Sequence, residues 1–172
     1  NTIDIACNRP PVALCQNITL YSDPTCSASI NNTSLDNGSS DPDLDILVFT
    51  VDNNNSFIVG NNNVIMTVTD PDGETDNCIA IVTVIDTILP AIQCPSDTIN
   101  YFSNNCDYII PNYSSSLISF SDNCDLNPVI SQSPVVGSIV NSDTIILLTI
   151  TDASGNADTA TVSITVSQTA TP

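Results

Sequence analysis

The sequence has no histidine, no tryptophan and no lysine; its one basic residue is Arg9, against 19 acidic residues and a net charge of −18. Nothing here neutralises phosphate, which excludes nucleic acid as a partner and leaves an anionic membrane surface without attraction. Acid–base catalysis lacks its usual histidine, lysine nucleophiles are missing, and the serines and cysteines have no visible activating base. The expectation is therefore that this chain is not an enzyme. With no histidine and no Cys-x-x-Cys pair, a zinc site is excluded as well. No apolar run approaches the ~18–20 residues of a membrane span, so no membrane insertion is expected. The N-terminus lacks a basic, apolar signal pattern, and Thr2-Ile3-Asp4-Ile5-Ala6 reads as the end of a strand. The chain is accordingly expected to be a mature product or a segment of something longer.

What is present is a repeat. Arg9-Pro10-Pro11-Val12-Ala13-Leu14-Cys15 returns as Leu89-Pro90-Ala91-Ile92-Gln93-Cys94, with Cys15 and Cys94 79 residues apart. Two units of roughly 80 residues follow, each near the lower size at which a domain buries a workable core. The expected division is a leader or linker strand over 1–11, one domain over 12–88 and a second over 89–172.

Short apolar runs of period two, separated by Pro, Gly, Asn and Asp, predict strands throughout. In the first unit these are 12–21, 26–30, 46–51, 57–59 and the two runs in which Val64, Met66 and Val68, then Cys78, Ala80, Val82 and Val84, occupy one face. Ile146, Leu148 and Ile150, then Ala160, Val162, Ile164 and Val166, repeat the pattern in the second unit. No stretch supports a long amphipathic helix. About seven short strands per unit predict an all-β chain of two tandem immunoglobulin-like antiparallel sandwiches, without the buried Trp of antibody domains.

In such a sandwich the loops gather at two ends. The strand reading places Asp122, Asp125 and Asp152 at one end of the second unit, near Asp86 of the connection, with Asp158 close by. In the first unit it gathers Asp41, Asp43, Asp45, Asp70 and Asp72, with Asp76 beside them. Crowded carboxylates repel unless a cation lies among them, and Ca²⁺ takes roughly six to eight oxygen ligands from flexible loops. Calcium is therefore the expected cofactor, although neither acidic loop is a complete EF-hand. Such a metal would stiffen the connection Thr87-Ile88-Leu89-Pro90 and favour a stalk. The bland reading is a solvated acidic surface that keeps the protein soluble.

Seven cysteines point to an oxidising, extracytoplasmic setting. Cys15 with Cys26 and Cys94 with Cys106 form the simplest pairing; Cys15 with Cys78 and Cys106 with Cys124 form its rival, and spacing does not choose. The odd count leaves a free thiol or a bond to another chain.

Pro-x-Ile-x-Cys-Pro over 90–95, Ser121-Asp122-Asn123-Cys124 and Thr149-x-Thr151-Asp152-x-x-Gly155-Asn156 resemble the hyalin-repeat (HYR) module. The first unit, with Pro10-Pro11-Val12-Ala13-Leu14-Cys15 and Asp36-Asn37-Gly38-Ser39-Ser40-Asp41, is similar to the HYR-like repeats of Bacteroidetes surface proteins. The resemblance runs from Pro10 to Val166. Asp41-Pro42-Asp43 and Thr159-Ala160 depart from it, each standing where the family often has a cysteine. It implies immunoglobulin-like modules of large secreted adhesins, located at the cell surface. Neighbouring repeats or subunits of the same fibre are then the expected partners. A surface glycan or protein bound by the modules is an alternative, with Tyr21, Tyr101, Phe102, Tyr108 and Tyr113 the aromatics to inspect. Polymerisation by a donated strand, 1–6, is another. Thr87, Thr98, Thr144 and Thr159, each in Asp-Thr-Ile or Asp-Thr-Ala, resemble the O-glycosylation signal of secreted Bacteroidetes proteins.

Overall fold

The computed structural model describes residues 7–94, 98–103, 107–115 and 119–168, with the backbone alone for 98–103 and 168. The chain divides into two compact units, Asn1–Asp86 and Thr87–Pro172. Both are built from strands, the all-β immunoglobulin-like class that the alternating runs predict. Residues 1–6 lie outside the described residues, and the expectation of a donated leader strand lies there with them.

The first unit contains β1 (Ile18–Tyr21), β2 (Ser27–Ser29), β3 (Val48–Val51), β4 (Ser56–Ile58), β5 (Gly60–Thr69) and β6 (Thr75–Ile85). One sheet has the order β1-β6-β5-β3, and β2 pairs with β4 in a second. β5 and β6 form a ten-pair antiparallel hairpin from Gly60↔Val84 to Thr69↔Thr75. Its turn needs a left-handed residue, supplied by Gly73 at φ +92°, while Asp70 receives the Gly73 N–H on its carbonyl. Val64, Met66 and Val68 of β5 and Ala80, Val82 and Val84 of β6 share one side of the hairpin, and all six are buried with Leu35 and Phe57. Each large side chain buried in this way contributes about 1.5–3 kcal/mol. Phe57 comes from the two-stranded sheet, so the core lies between two layers.

Two expected strands are shorter than the sequence implied. In the run 12–21 only β1 is regular; Val12 and Cys15 instead make isolated bridges to Ser40 and Asp36. Pro10 and Pro11 carry no N–H for a ladder, and Val12 takes both its backbone bonds from Ser40. Cys26 is not in a strand either: Asp23 accepts the Thr25 N–H at 2.8 Å and draws the chain into a turn that leaves Cys26 at φ +62°.

The cysteine pairing of the first unit is the rival one. Cys15 is bonded to Cys78 of β6, with Cα atoms 5.8 Å apart, so the Cys15–Cys26 pairing is corrected. β1 runs parallel to β6, which brings the strand-entry segment alongside the last strand. Cys106 lies outside the described residues, and both pairings that invoke it lie there too.

The second unit contains β7 (Ala91–Gln93), β8 (Thr98–Ser103), β9 (Tyr108–Ile109), β10 (Ser119–Ser121), β11 (Val129–Ser133), β12 (Ile139–Val140), β13 (Thr144–Thr151) and β14 (Ala157–Gln168). Its main sheet has the order β11-β13-β14-β8, with β10-β7 and β12-β9 as smaller pairs. β8 is parallel to β14, as β1 is to β6. Ile146, Leu148 and Ile150 are fully buried against Val162 and Ile164, occupying the places held by Val64, Met66 and Val68 in the first unit. Gly155, at φ +91°, turns this hairpin.

Candidate functional site

In each unit the loop before the middle strands and the hairpin turn before the last strand carry a matching pair of aspartates. In the first unit these are Asp41 and Asp70, and in the second Asp122 and Asp152. Asp41, Asp70 and Asp152 are buried. Asp41 Oδ1 accepts the Asp43 N–H at 2.6 Å, and Asp122 Oδ1 accepts those of Cys124 at 2.9 Å and Asp125 at 2.6 Å. Asp70 Oδ1 accepts the Glu74 N–H at 2.8 Å, and Asp152 Oδ1 accepts that of Asn156 at 2.7 Å. One carboxylate oxygen of each thus shapes its own loop.

The second oxygens have different fates. Asp41 Oδ2 and Asp122 Oδ2 are sealed from solvent and, among the described residues, have no hydrogen-bond partner. A buried, unpaired carboxylate oxygen is costly and calls for an explanation. In the second unit the Asp122 carboxylate lies next to a like group: oxygens of Asp122 and Asp152 are within 4.8 Å of each other. Asp152 Oδ2 accepts the neutral amide of Asn156, at 2.8 Å. Asp125 ties the two loops together, its Oδ2 accepting the Ala153 N–H at 2.9 Å and its Oδ1 that of Asn127 at 2.8 Å.

The first unit supplies its own cation. Arg9 Nη2 reaches Asp43 Oδ1 at 2.7 Å and the Pro42 carbonyl at 2.6 Å, while its backbone N–H meets Asp43 Oδ2 at 2.8 Å. Asn8 Nδ2 donates to Asp70 Oδ2 at 2.8 Å. These bonds hold the Asp43 carboxyl, through Arg9, and the Asp70 carboxyl, through Asn8, below the ordinary carboxylate pKa. Residues 8 and 9, expected as part of a linker, thereby clamp the acidic end. Asp45 has no such partner: burial, then the charges of Asp41, Asp72, Asp43 and Asp70, push its pKa up. Asp72 is exposed. The five aspartates expected together do share one end, but among the described residues no three carboxylates of this unit come within 4.8 Å of one another.

Asp45 yields a direct prediction. A carboxyl whose folded pKa is raised contributes stability that is full below the unfolded pKa and lost as pH rises through the folded value. At neutral pH ionised Asp45 therefore strains the first unit. Asp45→Asn is expected to raise the melting temperature in chelator and low salt at pH 7, and to lose that advantage near pH 3 or in strong salt. Parallel thermal scans across pH test this, and a lowered melting point at pH 7 would count against it.

Asp76 and Asp158 are strand clamps, accepting the N–H groups of Ala13 at 2.9 Å and Ile92 at 3.3 Å. Asp86 is buried at the end of the first unit, where Ser22 Oγ donates to its Oδ1 at 3.2 Å. Of the glycosylation candidates, Thr87 and Thr159 are exposed, Thr144 is half-buried with its hydroxyl on the Ser142 carbonyl, and the Thr98 side chain lies outside the described residues.

The aromatics divide sharply. Tyr113 is core: burial pushes its hydroxyl pKa well up, and Tyr108 meets that hydroxyl at 2.9 Å. Tyr21 is exposed, and the side chains of Tyr101 and Phe102 lie outside the described residues. Phe120, which the sequence did not single out, is exposed on β10.

Among the described residues no helix is long and apolar enough to cross a membrane. No family model matches the chain, and no curated protein does. Among solved structures it is similar to the extracellular cadherin domains 1–4 of protocadherin gamma B7, at 14% identity over 91% of this chain and 49% of that one, TM-score 0.40. It is also similar to human protocadherin-24 EC1-2, at 14% identity over 93% of this chain and 100% of that one, TM-score 0.47. Sidekick-1 immunoglobulin domains 1–4 match at 10% identity over 91% of this chain and 48% of that one, TM-score 0.49. The chain spans about half the length of the first and third of these. Identities and scores this low carry no function across.

Proposed function

We propose that this chain is a repeat segment of a secreted adhesin or extracellular filament of the HYR-like type, and that calcium on its loop carboxylates stiffens it. The observation that supports calcium most is Asp122 Oδ2, buried without a partner while the Asp122 and Asp152 carboxylates lie within 4.8 Å. Two unit charges at 4.8 Å repel by about 3.5 kcal/mol at an effective dielectric of 20. A hard divalent cation converts that repulsion into ligation, and oxygen-only donors fit Ca²⁺ or Mg²⁺ rather than softer metals. Asp122 and Asp152 would hold the ion, with loop carbonyls and water completing its shell.

Asp86 enters the proposal on chain order alone, as the residue immediately before Thr87. Disulfide chemistry in the first unit supports an oxidising, extracellular setting. A strongly acidic chain without histidine or lysine, with Arg9 as its one basic residue, supports a mechanical role over a catalytic one.

Calcium titration by calorimetry tests the site. The wild-type chain is expected to bind calcium in preference to magnesium, and Asp122→Asn and Asp152→Asn are each expected to weaken it by about tenfold or more, the value of one charged ligand near 1.4 kcal/mol. Undiminished binding in both variants would remove this pair from the site.

A further inference from the structure

We propose that the outer face of the main sheet in the first unit is an interaction surface, and that its partner is the same face of a second copy of this chain. The inner face of that sheet carries the buried residues Val64, Met66, Val68, Ala80, Val82 and Val84, so the alternate residues point away from the core. Register gathers these on one side: Ile65 stands opposite Ile79, Asn63 opposite Ile81, Thr67 between Thr50 and Asn77, and Tyr21 beside Ile85. Ile65, Ile79, Ile81, Ile85 and Tyr21 are all exposed, Ile79 by 69% and Tyr21 by 68%. Their neighbours on the face are mainly threonine and asparagine, and no outward position of β1, β3, β5 or β6 is charged. Thr83 Oγ1 donates to Asn61 Oδ1 at 2.9 Å, so part of the polar content is already paired within the face.

Charge and area select the partner. A solvated sheet face ordinarily carries charged side chains outward, and monomeric soluble proteins rarely leave apolar patches above a few hundred Å² open. A basic or an acidic partner finds no countercharge here. Two copies of a chain of net charge −18 repel through their aspartates, and this face lets them meet with no carboxylate opposed. The second unit repeats the device: Val129, Ile145 and Leu147 are exposed, and no outward position of β11, β13 or β14 is charged. There Thr161 and Ser163, opposite Leu147 and Ile145, stand where the first unit has Ile79 and Ile81, so the first unit has the more apolar face. A surface that recurs with the repeat suits a partner carrying the same repeat. β5 and β6 pair over ten positions. At about 3.4 Å per residue, with four strands about 4.8 Å apart, the face offers on the order of 500 Å² per copy. Two copies then bury about 1,000 Å², the lower bound of a specific interface, so the dimer is a weak one. The inference does not rest on the calcium reading, because the face holds no carboxylate.

Sedimentation equilibrium of the whole chain in excess chelator tests this, in a Cys7→Ser background that removes an exposed thiol. A dimer is expected with a dissociation constant of about 100 μM or tighter in about 0.5 M NaCl. It should weaken several-fold in about 20 mM NaCl, where the like charges are less screened. Ile79→Glu is expected to weaken the dimer about tenfold or more without lowering the melting temperature, and Ile79→Thr several-fold. Leu147→Glu, on the second unit, should leave it unchanged. A chain that stays monomeric at about 1 mM in both salts overturns the proposal. So does a dimer that Ile79→Glu leaves intact, that Leu147→Glu abolishes, or that forms only when calcium is added. Phosphatidylcholine vesicles provide the rival surface: a monomeric chain that co-sediments with them would assign the face to lipid instead. Should Ile79→Glu fail to fold, Ile79→Thr decides, together with NMR line broadening on concentration, expected at Ile65, Ile79 and Ile81 and contrary to the proposal if confined elsewhere.

Discussion

The double variant Cys15→Ala/Cys78→Ala is expected to lose about 4 kcal/mol of unfolding free energy in the first unit, from chain entropy alone. The bond spans 63 residues, nearly the whole unit, so its removal frees almost the entire unfolded chain. Both residues also pack against the buried cluster of Val64, Met66 and Val82, and their thioether-like bulk would be lost with the bond. For a domain of this size each kcal/mol moves the midpoint by about 4–8 °C, so the transition should fall by roughly 20 °C. Differential scanning calorimetry of the variant, beside reduced wild type, measures it. A fall in only one of two resolved transitions is the expected form, since the bond lies within one unit. A loss under about 1 kcal/mol would mean that the bond adds little beyond the packing.

Calcium is expected to act with comparable size on the second unit. Linkage gives RT ln(1 + [L]/Kd), so about 1 mM calcium on a site of about 1 μM affinity adds about 4 kcal/mol. The direction follows from the carboxylates: in chelator the Asp122–Asp152 repulsion acts in the folded state and is diluted in the unfolded chain. Adding the ion removes the repulsion and occupies the buried Asp122 Oδ2. Thermal unfolding after exhaustive chelation, with calcium or with NaCl of matched ionic strength, separates ligation from screening. A calcium-selective rise that Asp152→Asn abolishes supports the site. Equal shifts in calcium and NaCl would reduce the aspartates to a solubility device.

Much of the fold was legible because the hairpin strands are amphipathic with period two. Val64, Met66 and Val68, and their counterparts Ile146, Leu148 and Ile150, announce a buried face that any register must respect. The acidic loops were legible as a repeated pattern, since Asp41 and Asp122, like Asp70 and Asp152, fall in corresponding loops of the two units. Their division of labour was not. Whether a carboxylate caps its own loop, accepts Asn8, meets Arg9 or is left unpaired depends on which segment crosses the loop, and nothing local encodes that.

By itself the sequence determined the repeat, the all-β class and the buried face of each hairpin strand, all of which follow from local periodicity and composition. Only the tertiary structure decided the bond between Cys15 and Cys78, the clamp that Asn8 and Arg9 place on Asp70 and Asp43, and the exposure of Phe120. Each joins residues far apart in the chain or sets a side chain against a neighbouring strand. Sequence spacing is silent about such neighbours, because the folded chain chooses them through packing and topology.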